Sequence, residues 1–126
     1  IRMRRPSEFI VWNHVFMAYE TGRACFVDPT LFCLALPCTV LSVYRHLHHE
    51  QCCNATEPVL AKATMVYLFF ASLALGAAQV AVLVASKLVI VAVWLVEDQD
   101  YEKIHPWLHV LVALDAHVYI SAVTSG

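Results

Sequence analysis

Residues 63–86 read ATMVYLFFASLALGAAQVAVLVAS and contain no Asp, Glu, Lys, Arg or His. Lys62 and Lys87 flank this run, which resumes as LVIVAVWLV over residues 88–96 and stops at Glu97-Asp98-Gln99-Asp100. Roughly 20 apolar residues, at about 1.5 Å each, cross the hydrocarbon core of a bilayer. The run meets that length without a break, and water gives no stable home to such a surface. The chain is therefore expected to be an integral membrane protein. Between Pro58 and Glu97 the only breaker is Gly76, a weak one. The residues after Lys87 are too few for a span of their own. The pattern predicts one long helix over 58–97, tilted or extending past the bilayer. Its small residues, from Ala71 and Ser72 through Gly76 to Ala81, let another helix approach closely.

Composition agrees with the membrane assignment. Of 126 residues, 60% are hydrophobic and 14% charged, against about 25% charged in soluble domains. The net charge of -2 offers no large basic surface for nucleic acid. The length suits a single membrane domain, 1–126, of all-α class with about three transmembrane helices. The five cysteines (Cys25, Cys33, Cys38, Cys52 and Cys53) are odd in number and show no disulfide framework. Cys33 and Cys38 fall in an apolar run and are expected to be small buried hydrophobes.

Outward from the central run, residues 1–23 form a basic, interfacial N-terminal segment. Arg2, Arg4 and Arg5 suit lipid headgroups. Residues 9–20, FIVWNHVFMAYE, predict a short interfacial helix that ends at Thr21-Gly22-Arg23. Asp28 caps a helix over 29–49 with Pro29 in its first turn and Pro37 as a kink. Residues 51–57, QCCNATE, are expected to be a loop, with a glycosylation sequon at Asn54. Residues 97–103 form a polar hairpin, and the last helix covers 104–122. Basic residues lie on both sides of the first span, so charge sets no orientation.

The last helix carries His105, His109, Asp115 and His117. Ionisable groups at membrane depth cost several kcal/mol unless paired or wet. His105 and His109 are four apart and share a face, a spacing at which two imidazoles can bind one metal ion. The competing reading keeps both hydrated beside the acidic hairpin, with Trp107 anchoring at that depth. A second polar cluster runs from His46 to Cys53 and suits either a solvated helix end or a metal site. His14 stands alone, as a hydrogen-bonded partner rather than a ligand.

Ser42 precedes His46 by four residues, on one helical face, and Glu57 opens the next helix. Ser42-Val-Tyr-Arg-His46, together with His105-Pro-Trp-Leu-His109, resembles the CREST superfamily, which includes alkaline ceramidases. In that family a Ser-x-x-x-His helix, an acidic residue on the next helix and a late His-x-x-x-His helix hold a catalytic zinc. The resemblance implies His46, His105 and His109 as zinc ligands, a metal-activated water as nucleophile and Ser42 as an electrophilic helper. The sequence departs from the family in offering Glu57 for an Asp, and about three spans for seven. A haem- or quinone-binding membrane anchor, with haem held by His46 or His49 and His105 or His109, is a further alternative.

The leading expectation from sequence is a small accessory subunit without an active site of its own. It would pack against other membrane subunits and lipids in a larger assembly. The arginine-rich start points to an energy-converting complex of the mitochondrial inner membrane.

Overall fold

The structure, a computed structural model, describes residues 13–48 and 51–125. Side chains of residues 46–48, 51–57 and 101–102 are outside the description, as are the basic start and Trp12. Helix accounts for nearly all of the described chain. The elements are α1 (His14–Val27), α2 (Pro29–His48), α3 (Gln51–Ser72), α4 (Ala77–Val96), a 3-10 turn (Glu97–Gln99) and α5 (Tyr101–Ser125). Two segments, Ala77–Gln99 and Lys103–Ser125, are long and apolar enough to cross a membrane. Pro29–Arg45 and Pro58–Ser72 are shorter apolar helices.

The expected rod over 58–97 is two helices. Ser72 turns its hydroxyl back onto the Leu68 carbonyl, a local bond that competes with the helical ladder. The next amides tighten to i–3 acceptors: Leu73 to Phe70 at 3.2 Å, Ala74 to Ala71 at 3.3 Å and Leu75 to Ser72 at 3.0 Å. Gly76 then takes an extended conformation (φ -64°, ψ 158°) and caps α4, its carbonyl accepting from Val80 N–H at 3.0 Å.

Other boundaries also move. Residues 51–57 are helical rather than a loop, because Pro58 is carried inside α3 instead of starting it. Helix α1 runs straight through Gly22 and buries Glu20, Thr21 and Ala24 against the bundle. It is a packed element at the positions expected to be an interfacial helix. A lone glycine costs a helix only about 1 kcal/mol, which packing readily offsets. Helix α5 starts three residues earlier than expected, at Tyr101, after the 3-10 turn. Cys38 is buried as expected, but Cys33 is exposed.

The junction at Asp28 behaves as the sequence implies. Pro29 cannot donate to α1, so the chain turns there. Asp28 Oδ1 accepts from Leu31 N–H at 3.2 Å. The same carboxylate receives the Tyr67 hydroxyl at 2.7 and 2.8 Å and the Tyr119 hydroxyl at 2.8 Å. One acid thus fastens α3 and α5 to the α1–α2 corner. Burial pushes the Asp28 carboxyl upward, but these hydroxyl and amide donors outweigh it and hold it below its ordinary value. Next to this corner lies the apolar core of Ala24, Leu31, Leu68, Leu83, Tyr119 and Ile120.

Helix α1 packs on α2 and α5, α2 on α3, and α4 on α5, while α3 and α4 touch only lightly. The five helices form a ring, and the weak seam lies between α3 and α4. A cavity of about 580 Å³ fills its middle, lined by all five helices.

Candidate functional site

At the end of the ring opposite Asp28, four polar side chains meet away from solvent. His14 Nε2 and Ser42 Oγ are 2.8 Å apart, joining α1 to α2. The His14 ring packs on His109 of α5, with centroids 4.5 Å apart. The His109 ring meets His105 edge-on at 4.4 Å. Ser42 is 1% exposed, and the three histidines are between 5% and 8% exposed. The hydrated placement of His105 and His109 is therefore overturned. The i, i+4 spacing did bring them onto one face, but that face points inward.

Each of the α5 histidines is held at Nδ1. His105 Nδ1 lies 2.8 Å from Glu97 Oε2, contributed by the 3-10 turn. His109 Nδ1 lies 3.3 Å from Asn13 Oδ1, and the Asn13 amide donates to the Pro106 carbonyl at 2.8 Å. Metal-ligating histidines commonly show this pattern, with Nδ1 on a carboxylate or carbonyl and Nε2 presented to the ion. The donor chemistry at His105 and His109 therefore fits zinc. Among the described residues, no group of three His, Cys, Asp or Glu side chains is arranged to hold a metal ion. The third imidazole implied by the family resemblance, His46, follows Ser42 by one turn on α2. Its side chain is not described, and neither are those of Glu57, His48 and His49.

His105 and His109 also line the cavity, whereas Ser42 and His14 do not. The cavity wall is mainly apolar, with Leu31, Met65, Leu68, Ile90 and Val112 among its members. Its volume lies within the roughly 300–1,000 Å³ of small-molecule sites. The α3–α4 seam is bridged by Lys62, whose ammonium lies 5.4 Å from the Trp94 ring centroid.

Two further polar groups lie elsewhere in the bundle. Lys87 Nζ donates to both oxygens of Asp115, at 3.1 and 3.3 Å, with the carboxylate fully buried. On the α1–α5 side, Glu20 lies 3.0 Å from Arg23 Nη1 and 2.7 Å from His117 Nδ1. Arg23 Nη1 is also 2.9 Å from that nitrogen. His117 Nδ1 can donate to Glu20 or accept from Arg23, but not both. His117 therefore belongs to a separate cluster from His109.

Asn13 is not legible in the sequence as a functional residue, because a single polar residue in an aromatic stretch has no periodic partner. Glu97 was visible only as part of an acidic hairpin. No protein family, curated protein or solved structure matches the chain.

Proposed function

We propose that this chain provides the catalytic histidines of a membrane-embedded, CREST-like, zinc-dependent hydrolase acting on long-chain amphiphiles. The observation that carries this reading is the buried Ser42–His14–His109–His105 cluster at the head of an apolar cavity. Burying four hydrogen-bonding side chains among lipid-facing helices is costly, and a passive packing subunit gains little from it.

In this reading His105 and His109, with His46, would hold zinc. The ion would supply an acidified water and polarise a carbonyl oxygen. The protein's own contribution is positional. Glu97 and Asn13 fix the two α5 rings, and His14 ties Ser42 to the cluster. The apolar cavity takes a long chain and keeps bulk water from the scissile bond.

Elemental analysis of the purified protein should find about one zinc per chain. Hydrolysis of a long-chain N-acyl substrate in detergent should drop by at least 10²-fold in His105→Ala and His109→Ala. Full-length protein free of zinc, with equal turnover in both variants, would refute the reading.

A second reading, the accessory subunit, is favoured by the outer face of α4, where Leu88, Val89 and Leu95 are exposed. Such a subunit would migrate with a larger assembly in native mass measurement and carry no metal.

A further inference from the structure

We propose that Asn13 is a positioning residue that fixes the tautomer and the ring orientation of His109. The inference rests on the zinc reading for its consequence, while its geometry stands independently.

Asn13 immediately precedes α1 and is 1% exposed, yet among the described residues its side chain hydrogen-bonds to Pro106 and His109 of α5. The Pro106 carbonyl can only accept, so the amide NH₂ must face it at 2.8 Å. That orientation turns Oδ1 toward His109 Nδ1. An amide oxygen has no proton to give, so the imidazole nitrogen has to be the donor. A hydrogen therefore resides on Nδ1, which in the neutral ring leaves the lone pair on Nε2.

His105 reaches the same state through a different acceptor. The Glu97 carboxylate at its Nδ1 also requires a donor when ionised. Two rings one helical turn apart are thus set in one tautomer by acceptors from different elements, one local to α5 and one brought by α1. Helix α1 packs on both α2 and α5, and Asn13 couples that packing to the chemistry of His109.

The test uses ¹⁵N-histidine-labelled, metal-free protein at about pH 9, where imidazoles are neutral. Wild type should show His109 as the Nδ1–H tautomer. Asn13→Leu, which removes both contacts, should shift it toward Nε2–H and weaken zinc binding about 10- to 100-fold in a chelator competition. Asn13→Asp keeps an acceptor at Nδ1 and should retain the Nδ1–H tautomer. This variant gives the answer if Asn13→Leu does not fold. An unchanged tautomer in Asn13→Leu, or a lost one in Asn13→Asp, overturns the assignment. A wild type that binds no zinc but changes tautomer in Asn13→Leu refutes the hydrolase and keeps the assignment.

Discussion

The pair formed by Lys87 and Asp115 supports a quantitative prediction. Asp115 is fully buried, and both its oxygens accept from the Lys87 ammonium. Lys87→Met removes that donor and leaves a carboxylate without its counter-charge in the bundle. Stranding one member of a buried pair costs about 3–5 kcal/mol. Asp115→Leu should cost less, because the Lys87 side chain keeps 13% exposure and lines the cavity. Its ammonium can then turn toward that space. The double variant Lys87→Met/Asp115→Leu contains neither charge and fills both positions with apolar groups. It should fall within about 1 kcal/mol of wild type or exceed it, since well-packed apolar replacements often match buried pairs. The assay is reversible unfolding in mixed micelles, run as a double-mutant cycle. Added salt should change the coupling little, because buried pairs are weakly screened. Additive single effects, or a Lys87→Met cost below about 1 kcal/mol, would show that the pair does not stabilise the fold as described.

Other predictions concern the opposite end of the ring. The Asp28 carboxyl is held below its ordinary value of 3.8 by its hydrogen-bond donors. Its contribution to stability is thus present above about pH 4 and is lost as pH falls through the lowered native value. Asp28→Asn should lower stability at pH 6 and flatten the acid limb of a thermal melt series. An unchanged acid limb would count against this role. Leu68→Ala, at a core position with 0% exposure, should cost about 2–5 kcal/mol. Phe26→Ala, at 91% exposure, should leave detergent-solubilised stability within about 0.5 kcal/mol, and equal losses in the two variants would invalidate the burial assignment.

Helical class and the shared face of His105 and His109 could be inferred from residue spacing. Long apolar runs define helices because hydrophobicity and periodicity are local properties. Asp28-Pro29 was legible as a boundary for the same reason, since a capping acid and a residue without an N–H act within one turn. His105 and His109 could be placed on one face, but not inside the bundle. Burial depends on which helix covers that face, and that helix is α1, His14–Val27, far earlier in the chain. Asn13, which meets α5 across a sequence separation of 93 residues at Pro106, gave no local signal at all. The same holds for Lys87 and Asp115. They looked like a flanking cation and an isolated acid until tertiary packing joined them.

The break at residues 73–76 determines whether there is a cavity at all. With 58–97 as one rod, α3 and α4 could not both wall the same space, and the light α3–α4 seam would not exist. Glycine's special freedom does not hold this break. Gly76 has φ -64°, open to any residue, and the atoms nearest an added Cβ would belong to the Gln79 side chain, whose terminal oxygen is at 2.6 Å and can swing aside. The break is the tightened turn at residues 73–75, where the amides take i–3 acceptors. Gly76→Ala alone should therefore leave the hairpin intact. Spin labels at Val59 and Val89, both exposed, report the outcome in a background whose native cysteines are replaced by alanine. A continuous helix would hold the two backbones roughly 45 Å apart, at about 1.5 Å per residue. Side-by-side helices hold their axes roughly 10 Å apart. A short distance in both wild type and Gly76→Ala supports the hairpin. A distance near 45 Å in wild type would remove the fourth wall, and with it the cavity on which the hydrolase reading depends.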